Sequence, residues 1–185
     1  MITLFEAAKQ FQDFADRQGW QSCFIGGVAV QRWGEPRVTR DVDLVLLAGF
    51  GREDTFIETV LANYTPRLEN AAEFARRNRV LLVQTPEGVG IDISLGALSF
   101  EERLICRASL FSFAPGVDIR TCSAEDLIVL KLFASRPLDL ADAESVAVRN
   151  RGRLDWQYIE EQLTPLAETK NDPAILAALA RVRKL

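Results

Sequence analysis

The sequence predicts an α+β fold: a mixed sheet flanked by helices and followed by a helical C-terminal extension. Three observations carry that expectation. Short apolar runs bounded by glycine and proline alternate with amphipathic segments up to about residue 122. From Ser123 onward every periodic segment has helical spacing. No repeat, low-complexity tract or flexible linker divides the chain. With 185 residues, 48% of them hydrophobic, there is enough apolar side chain for a proper core. The expected organisation is an α/β core with an N-terminal helix over residues 1–122 and a helical region over 123–185 packed on that core.

Leu4, Ala7, Ala8, Phe11, Phe14 and Ala15 recur near helical spacing, which predicts a helix over 3–18 ended near Gly19. Ser22 to Ile25 reads as a strand that stops at Gly26-Gly27. Val28 to Trp33 reads as a short helix broken by Gly34 and Pro36. Val42 to Leu47 is almost continuously apolar apart from Asp43, as in a strand buried on both faces. Asp54 to Tyr64 is expected to be helical, with Phe56, Ile57, Val60 and Leu61 as its apolar stripe, and Ala71 to Arg77 forms a second short helix.

Arg79 to Thr85 and Gly90 to Leu95 read as a hairpin about Pro86-Glu87-Gly88. A helix capped by Ser99 covers 99–107, with Glu101 and Glu102 in its first turn. Ser109 to Phe113 and Val117 to Arg120 are strands about Pro115-Gly116. Ser123 with Asp126 resembles a capping box and opens a helix through Phe133. Further helices are expected from Pro137 to about Val148, from Leu154 to Ala167 and from Pro173 to Lys184.

Composition removes several chemistries. The chain has no histidine, so it lacks Ser-His-Asp and Cys-His machinery, imidazole ligands and an imidazole base. Cys23, Cys106 and Cys122 are odd in number and lack Cys-x-x-Cys spacing, which argues against a disulfide framework or a zinc site. No apolar run reaches the ~18 residues of a membrane span, and the N-terminus has no signal-peptide pattern. A cytoplasmic protein without membrane association is expected. The net charge of −4 supplies no global attraction to nucleic acid.

Chemistry concentrates in residues 26–43. On a strand, Thr39, Asp41 and Asp43 point to one side, while Arg40, Val42 and Leu44 point to the other. Two carboxylates on one face repel unless a cation lies between them. Mg²⁺ suits that place, because it favours one or two carboxylates, water and phosphate oxygens. Gly26-Gly27, at a helix start, offers exposed N–H groups to phosphate. Arg32, Arg37 and Arg40 flank the motif as candidates to steer phosphate, with Arg40 turned to the opposite face. Arg76, Arg77, Arg79, Arg149, Arg151 and Arg153 read as solvated charges.

Gly26-Gly27, a short helix, Thr39-x-Asp41-x-Asp43 and a later strand with Asp92 in Gly-Ile-Asp-Ile together resemble the nucleotidyltransferase superfamily of DNA polymerase beta. The resemblance implies a nucleotidyltransferase-like fold. It implies Asp41, Asp43 and Asp92 as ligands of two Mg²⁺ ions, with Mn²⁺ as an alternative, and Gly26, Gly27 and Thr39 as nucleotide-binding residues. The partner it implies is a nucleoside triphosphate.

A second resemblance lies in Glu125-Asp126-Leu127-Ile128-Val129-Leu130-Lys131-Leu132, followed by Arg136-Pro137-Leu138-Asp139-Leu140-Ala141-Asp142. This segment is similar to bacterial nucleotidyltransferase-like proteins of the abortive-infection AbiEii toxin type. It implies that Lys131 contacts substrate phosphates, that Asp139 or Asp142 supports the site, with Asp139 ranked first, and that the chain belongs to a toxin-antitoxin or phage-defence setting with a cognate antitoxin. The expected activity is metal-dependent transfer of a nucleoside monophosphate to a hydroxyl of tRNA, protein or a small molecule. The alternative is a nucleotide-binding regulatory protein without catalysis.

Overall fold

The computed structural model describes residues 3–185. Its contacts divide the chain into two compact units, Met1–Val28 with Val38–Cys122 and Ala29–Arg37 with Ser123–Leu185.

The first unit is built on a seven-stranded sheet whose order is β3-β4-β5-β2-β1-β7-β6 among the described residues. The strands are β1 (Ser22–Phe24), β2 (Asp41–Leu47), β3 (Thr65–Pro66), β4 (Val80–Gln84), β5 (Gly90–Gly96), β6 (Ser109–Ala114) and β7 (Val117–Thr121). Here β2 runs parallel to β5 and antiparallel to β1, and β4 and β5 form the predicted hairpin. The mixed sheet and α+β class therefore stand as the sequence predicts.

Helix α1 (Leu4–Arg17) begins with a reciprocal cap, in which the Glu6 N–H donates to Thr3 Oγ1 and the Thr3 N–H donates to Glu6 Oε2. Phe11, Phe14 and Ala15 from α1 join Phe24, Leu44, Leu46, Ile91, Ile93 and Ile119 from the strands in one buried core. Alternation explains the sheet: Val42 and Leu44 are buried, whereas Asp41 and Asp43 on the other face of β2 are half-buried.

Several local expectations are corrected. Helix α3 (Glu53–Leu61) ends before Tyr64, and Thr65–Pro66 pairs antiparallel with Val83 and Gln84 of β4. A residue preceding proline is driven out of the helical region, and Tyr64 packs its ring against Phe11 and Phe14. Helix α5 (Ser99–Arg107) has Leu98, not Ser99, at its N-cap, and the Glu101 carboxylate accepts the Ala97 and Leu98 N–H groups at 2.7 and 2.9 Å. Arg79 is no simple solvated charge. It closes α4 (Ala71–Asn78) in the left-handed region, at φ 55°, and donates to the carbonyls of Leu95 and Gly49.

Helix α2 (Gly26–Trp33) also starts two residues earlier than expected and takes in both glycines. Its first turn belongs to the first unit and its remainder to the second.

The second unit contains α6 (Ala124–Ala134), α7 (Pro137–Arg149), α8 (Trp156–Lys170) and α9 (Pro173–Val182). Leu127, Ile128, Leu132, Val146, Ile159, Leu163, Ile175 and Val182 are fully buried. The Ser123–Asp126 pair caps α6, but it differs from a capping box. Ser123 Oγ accepts the Asp126 N–H and donates to Asp126 Oδ2, and the other carboxylate oxygen accepts the Tyr158 hydroxyl at 2.6 Å.

Candidate functional site

The central parallel pair brings the predicted carboxylates together. Asp43 of β2 is the register partner of Asp92 of β5, and Asp41 is the partner of Gly90. Strand neighbours in register lie about 4.8 Å apart with side chains on one face, so Asp43 and Asp92 are adjacent. Asp41 shares that face two residues away. Like charges so placed repel, and a cluster of this kind persists only with a cation or with other compensation.

Glycines admit these groups to the backbone. A Cβ at Gly26, whose φ is +53°, would come closer than 3.0 Å to the Asp43 carboxylate, nearer than real Cβ atoms come to a neighbour. A Cβ at Gly27 would overlap Thr39 Oγ1, and one at Gly90 would overlap Asp41 Oδ1. The Gly26-Gly27 pair therefore opens space for side chains that share the face of β2. It also begins α2, where the first N–H groups of a helix have no partner within it. The Ile25 N–H donates to the Asp43 carbonyl at 2.9 Å, which ties that helix start to the second aspartate. Thr39 Oγ1 donates to the Asp41 carbonyl at 3.3 Å.

One residue at this cluster carries no functional signal in the sequence. Arg67 follows the two-residue β3; it donates through Nη2 to Asp92 Oδ1, and Nη1 lies 3.6 Å from Asp41 Oδ1. Burial raises the Asp92 carboxyl above its ordinary value, Arg67 opposes that shift, and the charge of Asp41 adds to it. No spacing rule links residue 67 to residues 41 and 92; only the register of four strands does. Gly90 carries no sequence signal for the same reason.

A second cluster lies within the second unit. Lys131 Nζ is 2.9 Å from Asp139 Oδ1 and 2.8 Å from Asp142 Oδ2, and all three side chains are buried. Arg37 forms a bidentate pair with Asp142 at 2.8 Å for both bonds, and Arg136 pairs with Asp139. The sequence expectation had Lys131 on phosphate, one aspartate in support and Arg37 steering phosphate. In the structure Lys131 engages both aspartates and Arg37 is held by Asp142. Helix α6 is apolar on nearly all sides, so its lysine is buried and takes carboxylates from the next helix as partners. Arg32 stacks over Trp33 at 4.0 Å, and Arg40 is exposed.

Burial alone would raise Asp139 and Asp142. Their bonds to Arg136 and Lys131, and to Arg37 and Lys131, outweigh it and hold both carboxyls below the ordinary value. A depressed folded-state value contributes stability above the unfolded value, about 3.9, that is lost as pH falls towards the folded value. Urea unfolding followed by far-UV circular dichroism is therefore expected to give level stability from pH 8 to about pH 5 and a progressive loss below it. Stability that holds level down to pH 3 would contradict this assignment.

Three carboxylates supply hard oxygen donors of the kind that Mg²⁺ or Mn²⁺ takes. Among the described residues no group of three or more Cys, Asp or Glu side chains is placed to hold a metal ion. The Arg67 guanidinium stands as the cation between Asp41 and Asp92. A positive charge is thus already accommodated at these oxygens, and the donors are of the chemical type a divalent ion takes, although this arrangement does not gather them around one.

A mixed sheet with a glycine-led helix and neighbouring strand carboxylates is the arrangement that the nucleotidyltransferase resemblance implies. Residues 1–174 match the family described as "Nucleotidyltransferase of unknown function (DUF6036)", and the chain belongs to that family of nucleotidyltransferases. No curated protein matches the sequence. Among solved structures, the chain resembles an antigenic nucleotidyltransferase-like protein from Paracoccidioides brasiliensis, with a TM-score of 0.53 and 15% identity over 96% of this chain and 92% of that one. It also resembles the antibiotic-resistance factor ANT(2'')-Ia, with a TM-score of 0.57 and 16% identity over 90% and 92%. At these identities the likeness is one of fold. No helix among the described residues is long and apolar enough to cross a membrane.

Proposed function

We propose that this nucleotidyltransferase moves a nucleoside monophosphate from a nucleoside triphosphate to a hydroxyl of a small-molecule acceptor, with Mg²⁺ as the metal. The observation that carries the reading is the register that sets Asp43 beside Asp92, with Asp41 on the same face, Gly26 against Asp43 and Gly27 against Thr39. A divalent cation held by Asp41, Asp43 and Asp92 would draw charge from the phosphates and acidify the acceptor hydroxyl, and two such ions would serve both the attacking and the leaving oxygen.

The chain's own residues supply the rest. The first N–H groups of α2, at Gly26 and Gly27, receive phosphate oxygens, and the Thr39 hydroxyl lines the same face. The Asp92 carboxylate lies on the same face and assists removal of the acceptor's proton. The acceptor oxygen forms a bond to the α-phosphorus, the bond from that phosphorus to the bridging oxygen breaks, and pyrophosphate leaves with the electron pair. Lys131 and Asp139 act as positioning residues that keep α6 and α7 in place.

Two features favour a small-molecule acceptor: the fold is shared with an antibiotic-resistance factor, and the net charge of −4 disfavours a polyanionic partner. The test supplies each of four α-labelled nucleoside triphosphates with Mg²⁺ and a cell extract. Label is expected in small solutes. Label in tRNA or protein would overturn the acceptor class and point to a toxin with a cognate antitoxin. Intact nucleotide binding with label in no fraction would overturn the reaction.

A further inference from the structure

We infer that Arg67 is the resident counter-ion of the carboxylate cluster, and that a divalent cation binds there by displacing the Arg67 guanidinium from Asp92 and Asp41. The inference rests on the reading of Asp41, Asp43 and Asp92 as metal ligands. It adds the residue that sets how tightly the metal is held.

The backbone fixes where Arg67 starts. Its N–H donates to the Leu82 carbonyl at 3.0 Å, and Leu82 is the register partner of Asp92. The side chain thus reaches Asp92 from the far side of β4. Gly90 leaves room for it, since a Cβ there would lie 3.0 Å from Arg67 Nη1 as well as against Asp41. The guanidinium therefore occupies the carboxylates of Asp92 and Asp41, two of those that would hold a metal. Both cations at one place would repel at short range, and one must leave.

The pose is also incompletely bonded. Nε of Arg67 is buried and has no hydrogen-bond partner. A guanidinium carries five donors in a rigid fork, and here the carboxylate charges hold it with one donor unsatisfied. The side chain is 26% exposed, so it has a route into solvent. A displaced guanidinium recovers its missing hydrogen bond from water, which eases the exchange. The affinity of the wild-type protein for metal is then the intrinsic affinity of the carboxylates reduced by competition from Arg67.

The measurement is Mn²⁺ binding to the full chain without nucleotide, read from the paramagnetic resonance signal of free Mn²⁺, for wild type, Arg67→Gln, Arg67→Lys and Asp43→Asn. Removing a unit charge within about 4 Å of the ligands is worth at least one power of ten, so Arg67→Gln is expected to bind Mn²⁺ at least tenfold tighter. Arg67→Lys keeps the charge but loses the fork, and is expected to gain about threefold. That variant decides the matter if circular dichroism shows Arg67→Gln to be unfolded. Mn²⁺ should also raise the melting temperature of Arg67→Gln more than that of wild type.

Binding by both Arg67 variants no tighter than wild type, with binding lost in Asp43→Asn, would overturn the counter-ion role and leave the metal site standing. Absence of Mn²⁺ binding in every protein, or undiminished binding in Asp43→Asn, would instead overturn the metal reading itself, and the Arg67 inference with it.

Discussion

Asp43→Asn is expected to lower nucleotidyl transfer by about 10³-fold or more, while circular dichroism and the melting temperature stay close to wild type. The substitution keeps shape and removes charge. Asp43 lies against Gly26 and next to Asp92, so an amide of the same size fits the space without rearranging the start of α2. Neutralising one member of a group of like charges relieves repulsion in the resting protein, which offsets what the fold loses. What is lost is negative charge where the reaction needs a cation between protein and phosphates. Steady-state transfer of label from an α-labelled nucleoside triphosphate reads the first effect, and thermal melting reads the second. Transfer within tenfold of wild type would remove Asp43 from the site.

The second large effect concerns stability. Lys131→Met is expected to destabilise the helical unit by about 3–5 kcal/mol, because it leaves two buried carboxylates without their shared ammonium. Methionine fills nearly the same volume, so the loss is electrostatic rather than a cavity. Arg37 and Arg136 still face Asp142 and Asp139 and hold the loss towards the lower figure. The double variant Lys131→Met/Asp139→Asn should regain part of it, since position 139 then needs no counter-ion and its other partner, Arg136, is 76% exposed and can turn to water. Urea unfolding at pH 7 measures both. A change under about 1 kcal/mol for Lys131→Met would show that the network holds nothing.

Much of this fold is legible from local patterns. The apolar runs at 22–25 and 42–47 and the turn at Pro86-Glu87-Gly88 specify strands and a hairpin by side-chain alternation and turn chemistry, and Pro137 and Pro173 mark helix starts. Two-residue β3 carries no periodicity of its own and directly follows the helix expected to end at Tyr64; only Pro66 hints at extended backbone there. The parallel pairing of β2 with β5 is a long-range choice that no local pattern encodes. The adjacency of Asp43 and Asp92 came from family likeness and appears in the coordinates as register.

The limits of local reading are clearest at Arg67 and Lys131. Arg67 is one of many arginines, and only the order of strands brings it to Asp41 and Asp92. Lys131 stands out as a charge in an apolar helix, but the sequence leaves its partner open between phosphate and carboxylate. Helix packing supplies two aspartates from α7, and the electrostatic cost of burying an ammonium favours taking both.

The central claim is that carboxylates from two neighbouring strands form one catalytic group. Transfer rates for Asp43→Asn, Asp92→Asn and the double variant, measured with Mg²⁺ and the acceptor identified by label partition, test it most directly. Residues that act as a unit are strongly non-additive. The account predicts that each single variant loses most of the activity and that the double variant is scarcely slower than the worse of the two. Losses that multiply in the double variant, or an Asp92→Asn protein with the wild-type rate, would contradict it.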